Sequence, residues 1–95
     1  MAGSWGQTIC QGAGNGTTAQ FDFPGGRVIL AVDGTFGGCS CQLQMIGPAG
    51  TAIAVGTPVT AAGQQLIELA PCQLQMAITG GTSNSITANI SRVVS

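Results

Sequence analysis

Four cysteines and three carboxylates are the side chains of this sequence best suited to chemistry. General acid–base or nucleophilic catalysis needs a group that titrates or attacks near neutral pH. The sequence contains no His and no Tyr, and both of its basic residues are arginines. The carboxylates of Asp22, Asp33 and Glu68 lie far apart along the chain, and Asp33 before Gly34 is a typical turn residue. We therefore expect that this protein is not an enzyme.

The spacing of the cysteines argues against a metal site. Structural zinc sites usually carry pairs of ligands separated by about two to four residues, whereas Ser40 alone separates Cys39 from Cys41. We expect no metal and no cofactor. Two states of the thiols remain open. They are either free and buried as small apolar groups, as in a reducing compartment, or Cys41 forms a disulfide with Cys72, which requires their two strands to be neighbours.

The sequence carries very little charge. Its two arginines and three carboxylates make up 5% of the residues, against about 25% in a typical soluble domain. Low charge removes the repulsion that keeps monomers apart and leaves sheet edges unguarded. We therefore expect partners to cover much of the surface in a stable assembly, with an unusual monomer as the alternative. Arg27 and Arg92 alone cannot provide the row of phosphate contacts that nucleic-acid binding requires.

The N-terminal residues have neither the basic segment nor the apolar segment of a signal peptide. No apolar run reaches the roughly 18 residues that a transmembrane helix needs. We therefore expect synthesis and folding in a cytoplasm, without a membrane.

Apolar and polar residues alternate with a period of two along most of the chain, between turn segments such as 24–26 and 47–50. Strands at intervals of about 8 to 12 residues are typical of a β-sandwich. We predict an all-β fold, an antiparallel β-sandwich of about seven or eight short strands formed by residues 17–95. Residues 1–16 are rich in glycine and precede it as a flexible N-terminal arm, with a short strand near residues 7–11.

Residues 27–46 show the clearest pattern. Two alternating runs flank a glycine-rich segment, 33–38, and predict an antiparallel hairpin with one buried face. Residues 58–63 form either a loop or a weak edge strand, and for residues 64–70 the buried side is ambiguous. The predicted core consists of Phe21, Phe23, Val28, Leu30, Val32, Leu43, Met45, Ile53, Val55, Leu74, Met76, Ile78, Ile86 and Ile90.

The segment Cys41–Met45 recurs letter for letter at Cys72–Met76. Two copies are too few for a solenoid, which needs at least about three units. We predict two similar hairpins stacked across one core. Chance convergence on a good strand sequence is the alternative.

The glutamines of these two segments alternate with apolar residues, which places them on the outer side of their strands. Such an uncharged row is either an ordinary solvated sheet face or a flat contact surface that binds a partner without desolvating a charge. We favour the contact surface. Trp5 on the arm either covers the end of its own sandwich or fills a pocket on a neighbour. The candidate partner interface consists of Trp5, Ile9, Gln42, Gln44, Gln73 and Gln75.

Four segments carry a resemblance to a known class of proteins: Phe23–Val28, Gly34–Gly38, Cys41–Met45 and Ser85–Val93. In its strands and turns the chain resembles the small capsid decoration proteins of tailed bacteriophages, also called cement or head auxiliary proteins. The resemblance extends over about residues 18–94. It implies a β-sandwich or related β-barrel that lies outside the capsid shell as a dimer or trimer. It offers no invariant functional residues to place on this sequence.

The resemblance implies a structural virion protein that binds the outer surface of a phage capsid and stabilises contacts between neighbouring capsid subunits. The implied partners are the major capsid protein and further copies of the chain, with a trimer expected ahead of a dimer. Its place would be the capsid exterior, after synthesis in the cytoplasm of a host bacterium. The alternative is a phage tail or fibre domain that binds a receptor or carbohydrate, for which the chain has few aromatic residues.

Overall fold

The computed structural model describes residues 6–92, and all of their regular structure is β-strand. This confirms the predicted all-β fold. The strands described are β1 (Gly6–Ala13), β2 (Gly16–Thr17), β3 (Phe21–Phe23), β4 (Gly26–Thr35), β5 (Ser40–Ile46), β6 (Ala52–Val59), β7 (Gly63–Leu69), β8 (Cys72–Thr79) and β9 (Ser85–Arg92).

The strands form two antiparallel sheets that pack face to face. The four-stranded sheet has the order β1-β9-β4-β7, and the five-stranded sheet has the order β2-β8-β5-β6, with β3 also paired to β8. The inward side chains of both sheets meet in one core, as expected of a β-sandwich. The buried core residues are Phe23, Val28, Leu30, Val32, Cys39, Cys41, Leu43, Val55, Ile67, Leu74, Met76, Ile78, Ile86, Ala88 and Ile90.

The predicted hairpin within residues 27–46 is wrong. β4 pairs with β7 and β9, whereas β5 pairs with β6 and β8 in the other sheet. The connection turns at Phe36, whose carbonyl accepts a hydrogen bond of 2.9 Å from the Cys39 N–H. It carries the chain from one sheet to the other. The alternation identified the inward side chains correctly, but it is the same for paired strands and for strands that face each other across a core.

The two repeated segments lie side by side in one sheet, so the prediction of hairpins stacked across the core is also wrong. β5 and β8 are antiparallel neighbours, with Leu43 opposite Met76 and Met45 opposite Leu74. The two short apolar patterns therefore contribute to the same layer of the core. Their similarity follows from equal burial, because both strands lie inside the sheet with a neighbour on each side.

The same antiparallel pairing separates the cysteines that were candidates for a disulfide. Cys41 lies opposite Ile78, whereas Cys72 begins β8 and lies opposite Phe23. At the usual rise along a strand, Ile78 and Cys72 are about 20 Å apart. All four cysteines are free. The alternative of a disulfide is therefore wrong.

Most of the predicted core is buried, and Ile53 is the clear exception, with 45% of its surface exposed. Ile53 lies opposite Met45 on β6, an edge strand with a neighbour on one side only. Its side chain reaches towards the turn at Gly47, where an added Cβ would lie 2.8 Å from Ile53 Cδ1. The sequence pattern placed Ile53 on the correct side of the sheet, but it did not predict the solvent exposure of a residue at the sheet edge. Phe21 and Met45 are half-buried and pack against the core.

The structure resolves the two ambiguous segments. In β7 the buried side carries Ile67, whereas Leu66 is 50% exposed. Pro58 lies within β6, and because β6 is an edge strand, the missing N–H of proline is tolerated there. Of the two interpretations of residues 58–63, the edge strand is therefore correct at the beginning of the segment.

Part of the N-terminal arm belongs to the four-stranded sheet. β1 pairs with β9, with irregularities on either side of Cys10. The loop after β1 is joined to the loop before β9 by the amide of Asn15, which donates to the Gly81 carbonyl over 2.9 Å and accepts from the Gly81 N–H over 3.1 Å. The division into an arm of residues 1–16 and a domain of residues 17–95 stays a prediction.

A glycine in β4 gives a test of how closely β4 and β9 approach. Gly34 has a φ of +123°, and an added Cβ would overlap the Ser85 carbonyl oxygen. Gly16 has a φ of +139° with nothing within 4 Å of its added Cβ. We expect Gly16→Ala to lose about 1–3 kcal/mol of unfolding free energy through backbone strain. Gly34→Ala should lose about 1–3 kcal/mol more, because the Ser85 backbone must move.

Urea unfolding, monitored by circular dichroism, measures the unfolding free energy of both variants and of the unsubstituted protein. Equal losses in the two variants would contradict the close approach.

Candidate functional site

Four glutamines come together on the outer surface of the five-stranded sheet. Gln42 and Gln44 lie on β5, and Gln73 and Gln75 lie on β8, between inward residues of each strand. Because β5 and β8 are neighbours, Gln44 lies directly opposite Gln75. The structure thus joins four of the six residues of the candidate interface. We call the surface formed by Gln42, Gln44, Gln73 and Gln75 the amide face.

Hydrogen bonds between side chains orient these amides. Gln75 Nε2 donates to Gln44 Oε1 over 2.8 Å. Gln73 Nε2 donates over 3.1 Å to Oδ1 of Asp22, which lies opposite it on β3. A side-chain amide has two N–H donors and two acceptor positions, so each of these side chains retains capacity for a partner. The amide face can both donate and accept hydrogen bonds.

Gln42 also supports the sheet itself. The register between β5 and β6 shifts between Cys41 and Leu43, which interrupts the ladder. Gln42 Nε2 donates to the Val55 carbonyl over 2.9 Å and to the Leu43 carbonyl over 3.0 Å. Its amide therefore bridges the two strands where their regular pairing is interrupted.

Gln65 on β7 supports the same irregular stretch of β6 from the opposite sheet. Gln65 Oε1 accepts from the Thr57 N–H over 3.2 Å, and Gln65 Nε2 donates to the Thr57 carbonyl over 2.9 Å. Gly56 permits this approach, because it has a φ of +70° and an added Cβ would lie 2.5 Å from Gln65 Oε1. The sequence analysis missed Gln65. The only available signal was its place on the same side of the strand as Ile67.

Among the residues described, 6–92, the amide face carries one ionic side chain, that of Asp22. The other four ionic residues belong to the four-stranded sheet, on β4, β7 and β9, and are Arg27, Asp33, Glu68 and Arg92. Amides exchange no proton near neutral pH, so they offer neither an acid nor a base for catalysis. The arrangement is suited to binding.

The other two residues of the candidate interface are not part of the amide face. Ile9 is half-buried on β1, in the other sheet, and packs against the core. Trp5 lies outside the described residues. The two alternatives for Trp5, cover for its own sandwich or a plug for a neighbour, both remain open.

Burial favours the neutral form of the Cys10, Cys41 and Cys72 thiols. Cys41 is fully buried, and burial, with the Cys39 thiol beside it, raises the pKa of Cys41 to about 12. Burial also raises the pKa values of the half-buried Cys10 and Cys72. A neutral thiol is a poor nucleophile and a poor metal ligand. Within the described part of the chain, no three Cys, Asp or Glu side chains come together as a metal site.

The surface depressions are shallow. One of about 200 Å³ lies at the end of the sandwich, between the 13–18 segment and Ile78. Another of about 290 Å³ lies beside the β1–β9 pair, lined by segments 6–8 and 89–91. Neither is lined by a charged side chain. A search of residues 6–92 for helices long and apolar enough to cross a membrane finds none.

Comparison with known proteins identifies the fold and no family. No protein-family model matches the sequence, and no curated protein matches it. The structure is similar to that of the SPBc2 prophage-derived protein YomS, with a TM-score of 0.78 and 10% sequence identity. That similarity covers 95% of this chain and 93% of YomS. At this identity the two proteins share a fold.

Two weaker similarities carry no argument, because their TM-scores lie below 0.5. The carbohydrate-binding module CBM6cm-2 of Cellvibrio mixtus lichenase 5A has a TM-score of 0.47 and 15% identity, over 98% of this chain and 89% of the module. A structure of infectious bursal disease virus, Gt strain, has a TM-score of 0.37 and 15% identity, over 94% of this chain and 28% of the viral chain.

Two adjacent glutamines on β7 test the support that the β6 backbone receives. Gln65 bonds to both backbone groups of Thr57, whereas Gln64 is exposed on the other side of the strand. We expect Gln65→Ala to lose about 0.5–1.5 kcal/mol of unfolding free energy, because both exposed Thr57 groups exchange their Gln65 partner for water. Gln64→Ala should change it by less than about 0.5 kcal/mol. Thermal and urea unfolding measure both, and a loss of equal size in Gln64→Ala would refute the assignment.

The thiols predict how stability depends on alkaline pH. The chain has neither Tyr nor Lys, the side chains besides Cys that commonly ionise at alkaline pH. Cys41 has a pKa of about 12 when folded, against 9.0 in an unperturbed thiol. Between these values the folded state binds a proton that the unfolded state has lost, so the unfolding free energy falls as pH rises. The slope is about 1.4 kcal/mol per pH unit for each such thiol.

Urea unfolding at successive pH values between 7 and 11 measures this slope. The unfolding free energy should be flat up to the unperturbed pKa and then decline, and Cys41→Ala should decline less steeply. A flat profile throughout would show that the buried thiols do not resist ionisation.

Proposed function

We propose that this chain is a structural virion protein that binds the outer surface of a phage capsid through its amide face and stabilises contacts between neighbouring capsid subunits. The observation that carries the proposal is the amide face itself: an ordered row of glutamines with one ionic side chain, that of Asp22, at its margin. The proposed protein turns over no substrate and needs no cofactor. Its partners are the major capsid protein and further copies of itself.

The chemistry of the amide face supports a protein partner. Moving a charged side chain out of water into an interface carries a large desolvation cost, whereas an amide regains its hydrogen bonds from the partner's backbone or side chains. The cores of protein interfaces are accordingly depleted in charged residues. Ala77, opposite Gln42, is half-buried and leaves the surface between the amides flat. A flat, neutral and hydrogen-bonding surface matches a broad protein shell better than a small ligand.

The similarity to the prophage-derived YomS supports a phage origin. It agrees with the resemblance of the strands and turns to capsid decoration proteins. The proposed place of the chain is the capsid exterior, after synthesis in the cytoplasm of the host bacterium.

The proposed mechanism is thermodynamic linkage. A protein that binds the assembled shell better than its free subunits shifts the equilibrium towards the shell, by an amount set by its concentration relative to its dissociation constant. Several weak contacts on one oligomer reinforce one another, because the first contact raises the effective concentration of the next. A small neutral sandwich can therefore strengthen a large shell without any single strong contact.

The alternative, a tail or fibre domain that binds a carbohydrate, receives less support. Aromatic rings usually provide the platform for a sugar, through apolar contact with their faces. In the described residues the aromatic side chains are Phe21, Phe23 and Phe36, and all three pack in or against the core. A protein receptor would also bind through the amide face, so the stability of particles that lack the chain is what separates the two functions.

Particles that lack this protein should assemble but rupture at a lower temperature. Deleting its gene from the encoding phage, then heating purified particles and measuring released DNA by dye fluorescence, tests this. Adding the purified chain back should restore the rupture temperature. Unchanged rupture temperatures in the deletion particles would count against the proposal.

Two isosteric variants test the amide face in the same assay. Gln44→Glu adds a charge but still accepts the hydrogen bond from Gln75 Nε2. Asn89→Asp adds the same charge at an exposed position on β9, in the other sheet. We expect Gln44→Glu to bind deletion particles at least about tenfold more weakly, because the new carboxylate must be desolvated. Asn89→Asp should bind as the unsubstituted chain does. Co-sedimentation measures both, and equal binding by both variants would rule out the amide face as the contact.

A further inference from the structure

The edges of the two sheets differ in how they are protected against pairing with another strand. Natural sheets protect their edges with prolines, bulges, short strands or charges. β1 has register irregularities on either side of Cys10. β6 contains Pro58 and an interrupted ladder. β2 and β3 are only two and three residues long and share one side of β8. Three of the four edges thus carry a proline, an irregular register or a short strand as a structural protection.

The fourth edge, β7, carries none of the structural protections. Its seven residues pair with β4 in unbroken register, from Leu69 opposite Gly26 to Gly63 opposite Val32. The strand contains no proline, and Glu68 is its one charged residue. Leu66, at its centre, is 50% exposed. A long, regular edge with an exposed aliphatic residue at its centre is expected to pair with another strand.

We propose that β7 pairs with β7 of a second copy of this chain, antiparallel and about a two-fold axis at Leu66. The four-stranded sheets of the two copies then form one continuous sheet of eight strands. This contact is isologous, so it closes as a dimer and exposes no further β7 edge. It lies on the sheet opposite the amide face and concerns the free chain, so it does not rest on the proposed function.

The side chains of β7 complement themselves in this register. On the outer surface, Leu66 lies beside Ile29 of β4, and the axis brings the same pair of the second copy next to it. The result is an apolar row across the dimer. Glu68, which lies beside Arg27, meets the neutral Gln64 of the second copy. No like charges oppose each other, which favours cross-strand pairing.

Other registers are less favourable. An axis at Glu68 would place two carboxylates opposite each other, which is destabilising. An axis at Ile67 would place Leu66 opposite Glu68, and an axis at Gln65 would place Leu66 opposite Gln64, so both would break the apolar row. An axis at Gln64 would leave only residues 63–65 to pair. The sequence of β7 therefore selects the axis at Leu66, and a two-fold contact favours a dimer over the trimer expected from the resemblance.

Sedimentation equilibrium of the full chain over a range of concentrations tests the dimer. The interface of one strand pair is small, so we expect reversible association that follows mass action. Leu66→Lys should weaken it at least about tenfold, because two lysines would oppose each other at the axis. Ile53→Lys is the matched control, since Ile53 is 45% exposed on the β6 edge, and it should associate as the unsubstituted chain does. Circular dichroism checks that both variants are folded.

A monomer at every concentration would overturn the proposal, and so would dissociation by Ile53→Lys with Leu66→Lys unaffected. A cysteine at the axis tests the register. Leu66→Cys should form a covalent dimer on mild oxidation, because residues directly opposite each other lie within disulfide reach. Ile53→Cys should not. Covalent dimers in equal yield from both variants would overturn the axis at Leu66. No capsid enters these experiments, so their failure would leave the proposed function standing, and the particle assay is judged separately.

Discussion

Amide side chains that bond to backbone groups hold together the irregular parts of this sandwich. A bulge or loop removes the hydrogen-bond partner that a regular ladder provides to a backbone group. Gln42 and Gln65 supply partners to Val55 and Thr57 on β6. Asn15 bonds to both the N–H and the carbonyl of Gly81 and so joins two loops. Only 5% of the residues are charged. Neutral amides thus provide the side-chain hydrogen bonds to these backbone groups.

The burial of residues along each strand could be predicted from the sequence, whereas the pairing of the strands could not. The period of two reveals strands and their inward residues because burial acts on each strand separately, as for Val28, Leu30 and Val32. Sheet partners depend on contacts between distant segments, which a single sequence does not encode in any local pattern. The predicted hairpin of residues 27–46 was wrong for that reason. The predicted stacking of the repeated segments was wrong for the same reason. The prediction that Ile53 is buried was wrong because its exposure depends on its place at a sheet edge.

The candidate site shows the same division. Alternation with apolar neighbours was sufficient to place Gln42, Gln44, Gln73 and Gln75 on the outside of their strands. Their union into one surface required β5 and β8 to be neighbours, which only the structure reveals. The role of Gln65 could not be predicted, because it depends on a bulge in a strand of the other sheet.

The neutrality of the amide face also determines how its contacts respond to the surrounding medium. Dissolved ions screen interactions between charges over about 8 to 10 Å at ordinary ionic strength, but they have little effect on hydrogen bonds between uncharged amides. The hydrogen bond from Gln75 to Gln44 is therefore expected to depend little on ionic strength. A contact built on such groups gives up long-range attraction during encounter. In return, its strength depends little on the salt concentration around it.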